Sequence, residues 1–157
     1  MNPPVVPANT SWRARAVEGV RGPMRLAALA LLLGGAAPGT DAPRYPADSV
    51  LLLIAPWCAP CHAELARLDT IAAAVRPRAV RVFMVEDGAR AAAMWRRVPD
   101  TYRWTPPDGE VRRYRTDALA RAAGLPFAIA TDARGRVCAT RDGGMDATRV
   151  VALVGAC

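Results

Sequence analysis

The sequence predicts an α/β domain built on a mixed four-stranded sheet flanked by helices on both faces. Three observations carry this expectation. Apolar runs at 50–55 and 80–85 bracket a stretch of helical periodicity, the pattern of two parallel strands joined by a crossover helix. Two further strand-like runs, 127–131 and 136–141, flank Asp132, Ala133, Arg134 and Gly135, a hairpin signal. A last apolar stretch at 145–156 has the spacing of a closing helix.

The elements follow in chain order. The chain of 157 residues suffices for one domain and a short extension. Residues 1–42 are expected to be an N-terminal extension plus a signal peptide, because an apolar core at 24–37 follows Arg13, Arg15 and Arg21 and ends in small residues. That core is shorter than the ~20 residues a bilayer span needs, which favours cleavage, best placed after Ala42, over an uncleaved anchor. The folded domain is expected over 43–157, with 43–49 as a short polar lead-in. The run 50–55 is continuously apolar, as in a central strand buried on both faces. Between 59 and 75, Cys61, Leu65, Leu68, Ala72 and Val75 recur at steps of four, three, four and three, one face of a helix. Arg76-Pro77 ends it. After the strand at 80–85, Glu86, Asp87 and Gly88 turn the chain into a short helix at 89–98. Residues 99–116 read as a turn-rich insertion with a short strand at 110–114, followed by a short helix from Asp117 to Gly124. Asp146 is the N-cap candidate of the closing helix.

Hydrophobic residues make up 52% of the chain, enough for a core, but only 6% is aromatic, so Ala, Val and Leu must fill it. The net charge of +7 comes from arginine alone, since there is no lysine. The arginines are scattered, form no run of five, and are not interleaved with aromatics. That pattern describes a solvated surface and argues against a nucleic-acid partner.

The chemistry concentrates in Trp57, Cys58, Ala59, Pro60, Cys61 and His62, at the junction of the first strand and its helix. A thiol attacks as thiolate, and the free N–H groups of a helix's first turn stabilise an anion there. Cys58, just ahead of the helix, is expected to be an exposed nucleophile. Cys61, one turn in on the apolar face, is expected to be the partly buried resolving thiol. Pro60 sits where its missing N–H costs little. Trp57 either shields the pair and offers apolar surface to a partner or is a rim packing residue. A structural zinc would need two more Cys or His ligands, and the only histidine, His62, adjoins Cys61. His62 could lower the thiol pKa as an imidazolium or be a solvated residue of the first turn.

The other two of the four cysteines, Cys138 and Cys157, form a candidate structural disulfide. A helix over 146–157 spans about 18 Å, and the strand from 141 back to 138 roughly 10 Å. The helix overshoots by a few ångströms, part of which the turn absorbs. The alternative is a free C-terminal thiol.

The Cys-Ala-Pro-Cys-His-Ala-Glu order after an apolar strand, with Leu125-Pro126 before the hairpin, resembles the thioredoxin superfamily. Within it the chain is similar to the exported TlpA/ResA/DsbE-type thiol–disulfide oxidoreductases. The resemblance covers the chain from Val50 onward and implies a thioredoxin-like fold. It implies that Cys58 attacks and Cys61 resolves, and that Pro126 is a cis-proline facing the dithiol. It also makes Glu64 a candidate proton relay to Cys61; the alternative is a surface residue paired with Arg67. For Pro126 the alternative is an ordinary trans proline. The chain departs from the family pattern at Leu52, where many thioredoxins carry a buried acid or Asn. It departs again at Ala66, where a proline and a helix kink are usual, and at Leu125.

The implied function is thiol–disulfide exchange with protein substrates through a transient mixed disulfide, in the periplasm and as a monomer. It needs no cofactor but a membrane redox partner, and cytochrome or metal-site thiols are candidate substrates. The alternative is a Cu(I) metallochaperone using Cys58 and Cys61. A third reading, a non-catalytic interaction domain, is disfavoured by the intact CxxC.

Overall fold

The computed structural model describes residues 42–157. The expected extension and signal core lie outside these residues. Four strands form one sheet in the order β2-β1-β3-β4: β1 (Ser49–Ile54), β2 (Ala79–Met84), β3 (Phe127–Thr131) and β4 (Val137–Asp142). β1 pairs parallel with β2 and antiparallel with β3, and β3 pairs antiparallel with β4. The expected mixed four-stranded sheet is therefore what the chain forms.

β1 lies in the middle and every residue of it is buried. Its apolar run tolerates no register slip, because both faces are covered. Burying Leu51, Leu52, Leu53 and Ile54 contributes roughly 1.5–3 kcal/mol each before entropy is counted. The start of β1 is tied by Thr131, whose Oγ1 accepts from Ser49 N–H at 3.0 Å and donates to Pro46 C=O at 2.6 Å.

The crossover between β1 and β2 is not one continuous helix. It is α1 (Ala59–Leu65) followed by α2 (Leu68–Ala74), with a break at Ala66 and Arg67. No proline causes it. Arg67 leaves helical geometry at φ −115°, ψ 10°, and its N–H bonds the Glu64 C=O three residues back. Its side chain folds back to donate to Ala63 C=O at 3.1 Å. The turn is thus locally tightened, and the expectation of an unkinked helix from 59 to 75 is corrected.

α3 (Ala89–Trp95) follows Gly88, whose φ of +98° suits glycine. A 3₁₀ turn (Asp100–Tyr102) brings Arg103 into a parallel bridge with Val82, and Trp104 N–H donates to Val82 C=O, which covers the outer edge of β2. The strand expected at 110–114 is instead the start of α4 (Val111–Leu119). Tyr114 and Ala118 are its buried residues, four apart, so a helical face overrides the strand-like Val-Arg-Arg-Tyr run. α5 (Ala147–Gly155) begins at Asp146, whose carboxylate caps Arg149 N–H at 2.8 Å.

α2 packs against β2, α5 against β4, and the two helices against each other. The other face carries an aromatic group: Tyr45, Phe83, Trp104 and Tyr114, with centroids 5.3–6.0 Å apart. Tyr45 corrects the reading of 43–49 as a mere polar lead-in. It is buried, and its hydroxyl donates to Asp117 at 2.7 Å. Its backbone lies on the hairpin, donating to Gly135 C=O at 2.9 Å; a Cβ on Gly135 would sit 2.2 Å from Tyr45 O.

Candidate active site

β1 delivers the chain from the middle of the sheet into Ala55, Pro56 and Trp57, and Cys58 becomes the N-cap of α1. Its sulfur accepts from Cys61 N–H at 3.2 Å, a first-turn donor that also meets the Cys58 C=O at 3.0 Å. Pro60 stands in that first turn, where no N–H is required. Cys58 and Cys61 are joined as a disulfide.

Both cysteines are buried, Cys58 at 2% and Cys61 at 0% exposure, whereas Trp57 beside them is 63% exposed. The expected contrast of an exposed and a partly buried thiol is corrected for the bonded pair. The chain folds Ala55, Cys58 and Cys61 into the core cluster and leaves Trp57, Ala59 and Pro60 as the outward surface. Trp57 Nε1–H donates to a Glu86 carboxylate oxygen, which fixes the indole over the end of β2.

Glu64 follows Cys61 by one helical turn and is 1% exposed. One oxygen accepts from Met145 N–H at 2.6 Å; the other is buried without a partner. It does not pair with Arg67 at the surface. Burial raises its pKa from 4.5 to about 7, against smaller lowering effects of the Met145 N–H and of the Arg67 charge. Glu64 is therefore an acid that changes charge near neutral pH, one turn from the inner cysteine. The position six before Cys58, Leu52, is fully buried between Val82 and Ala128, so this position itself supplies no carboxyl.

His62 is half-buried. Its Nε2 lies 3.1 Å from Pro56 C=O and its Nδ1 3.4 Å from an Arg97 guanidinium nitrogen. The ring thus bridges Pro56, in the turn before Trp57, and Arg97.

Pro126 is buried, and Leu125–Pro126 is a cis peptide. Pro126 C=O accepts from Gly143 N–H at 2.9 Å, and Gly144 lies against its ring. Cys138 and Cys157 are also bonded, on the exposed side of β4 and at the end of α5.

Three participants escaped the sequence: Glu86, Arg97 and Met145. Glu86 had the clearest signal. It follows β2 as Pro56 follows β1, and adjacent parallel strands open at the same edge.

No protein-family model matches this chain and no curated protein matches it. Among solved structures it is similar to a secreted Mycobacterium tuberculosis disulfide oxidoreductase homologous to E. coli DsbE. That match has a TM-score of 0.48 and 21% identity, covering 69% of this chain and 81% of that one. It is similar also to StoA from Bacillus subtilis, with a TM-score of 0.48 and 16% identity over 71% of this chain and 84% of that one. A third is MTB DsbF in its mixed oxidised and reduced forms, with a TM-score of 0.47 and 24% identity over 71% and 81%.

Proposed function

We propose that this chain is a thiol–disulfide oxidoreductase that exchanges the Cys58–Cys61 disulfide with protein thiols. The single observation that carries the reading is the placement of that disulfide. It bridges the N-cap and first turn of a helix emerging from a buried central strand, with a near-neutral buried acid one turn further on.

The chemistry balances within these residues and one substrate dithiol. A substrate thiolate attacks the Cys58 sulfur; a substrate–Cys58 disulfide forms as the Cys58–Cys61 bond breaks, and the electron pair leaves on Cys61. Cys61 is fully buried, so its thiolate is costly and takes a proton, for which Glu64 is the nearest acid along the helix. A second substrate thiolate then displaces Cys58, giving an oxidised substrate and a reduced Cys58–Cys61 pair. Run backward, the same steps reduce a substrate disulfide. In the reduced pair the Cys61 N–H, which meets the Cys58 sulfur at 3.2 Å, favours the Cys58 thiolate. Trp57 supplies the apolar rim, and Pro126 serves as the backbone wall beside which a substrate chain pairs.

We place this activity outside the cytoplasm, in the periplasm, on two supports. One is the charged, short apolar stretch at 24–37; the other is the second, exposed disulfide, Cys138–Cys157. The domain boundary at 42/43 belongs to the same reading, as does a membrane protein that resets the pair. Among the described residues no helix is long and apolar enough to cross a membrane.

The test is trapping. Reduced Cys61→Ser protein, mixed with a disulfide-linked peptide, should accumulate a covalent adduct stable to alkylation. Cys58→Ser should form none. An adduct on Cys61 in the Cys58→Ser protein, formed as fast as the adduct of the Cys61→Ser protein, would sink the assignment.

A further inference from the structure

Besides the disulfide, the same edge of the sheet carries a cleft of about 280 Å³ between the end of β2, α3 and α4. Phe83, Met84, Trp95, Trp104, Pro106 and Val111 line it. It therefore gathers both tryptophans that follow β2, in a chain poor in aromatics. Of the charged groups at its edge, Arg115 holds both Asp87 oxygens at 2.9 Å, and Glu86 accepts from the Trp57 indole N–H. An apolar cleft that is open to solvent and flanked by a closed ion pair selects an apolar occupant.

Its position follows from the register. Ile54 pairs with Met84, so the chain beyond β1 (Pro56, Trp57, Cys58) and the chain beyond β2 (Glu86, Asp87, Gly88) leave the sheet side by side. Trp57 is bonded to Glu86 across that gap. A second depression lined by Pro56, Trp57 and Glu86 shares Glu86, Asp87 and Gly88 with the cleft. The surface thus runs without interruption from the residue before Cys58 to the aromatic cleft.

We propose that this cleft is a specificity pocket for the polypeptide that reacts at Cys58, and that it receives one large aliphatic or aromatic side chain of it. The inference rests on the exchange function above and adds the substrate class: chains with a bulky apolar residue near the reacting cysteine. Size decides the occupant. The cleft falls below the ~300–1,000 Å³ of pockets that enclose drug-sized ligands and cofactors, and it suits a single side chain. Continuity with Trp57 favours an occupant tethered to the reacting sulfur over a separate molecule.

The experiment uses the oxidised protein and synthetic peptides with one cysteine. They carry either Leu or Phe, or else Ser, at each of several offsets from the cysteine. The rate of mixed-disulfide formation is compared within each protein, with glutathione as a reference thiol. At one offset or more the Leu or Phe peptide should react roughly ten-fold faster than its Ser counterpart, the discrimination one apolar contact supplies. Ala92 and Thr105 line the cleft and are exposed, so Ala92→Trp and Thr105→Trp each fill it from the solvent side. In both variants the Leu-to-Ser ratio should fall to about two or less. Equal Leu and Ser rates at every offset, or a ratio kept in both filled variants, would overturn the pocket while glutathione exchange left the redox reading standing. No exchange with any thiol, glutathione included, overturns both. Concentration-dependent dimers that Ala92→Trp abolishes would make the occupant a second copy of this chain and overturn the proposal as well.

Discussion

Replacing Glu64 by Gln isolates the titration of one buried group, and the oxidised protein is the right form for it because its bonded cysteines do not titrate. Folding raises the Glu64 pKa from 4.5 to about 7 by burial. At about 1.4 kcal/mol per pH unit, that difference is worth about 3 kcal/mol. The direction follows from proton counts. Between pH 4.5 and about 7 the folded protein holds the Glu64 proton and the unfolded chain has released it. The contribution is therefore fully present below 4.5 and is lost as pH rises through about 7. Glutamine keeps an oxygen for Met145 N–H and never ionises, so this slope disappears from the variant. The assay is urea unfolding of both oxidised proteins from pH 4 to 8. The wild-type-minus-variant difference should shift by about 3 kcal/mol between pH 4.5 and 7 in favour of the variant, whatever fixed cost the new amide adds. Asp87, Asp117, Asp132 and Asp146 are held below the usual carboxylate range, so they titrate under this window and cancel in the difference. Parallel curves for the two proteins across that window would refute the claim that Glu64 is buried as a near-neutral acid.

Two further outcomes are expected. Cys138→Ser with Cys157→Ser opens a crosslink between residues 19 apart and should lower unfolding stability by roughly 3 kcal/mol. Thiol exchange at Cys58 should survive at temperatures where the variant stays folded, and loss of exchange in fully folded protein would contradict a purely structural second bond. Gly135→Ala places a Cβ against Tyr45 C=O at φ +70°. It should cost about 2 kcal/mol or more in a thermal melt, whereas the same change at Gly155, with nothing near its Cβ, should cost no more than a few tenths.

The sheet was legible because its signals are local. The apolar run of β1, the 132–135 turn and the Asp146 cap each declare themselves within a few residues. The redox pair was legible for the same reason: its spacing and its place after a strand are adjacent in sequence. What stayed hidden depends on contacts across the fold. Glu64 reads equally as surface or site until Met145, 81 positions on, is seen to bond it. The burial of Cys58 is set by how Ala55 and Cys58 enter the common core. The helix at α4 was obscured by Val111 and Tyr114, residues at home in strands, whose spacing to Ala118 matters only once Tyr45 and Trp104 supply a face to cover. The break at Arg67 has no sequence marker, since the residue that bends the helix is an ordinary helix former.

The seating of Tyr45 on Gly135 also fixes where the chain enters the domain. Residues 43–48 run beside the 132–135 turn, at the start of β1, and Cys58 lies past its far end. Six strand residues separate these points, about 20 Å. A tether, fusion partner or surface linkage attached ahead of residue 42 therefore joins the hairpin end of the sheet. A label fixed at residue 42 itself would thus sit at one end of the central strand, with Trp57 and its disulfide beyond the other.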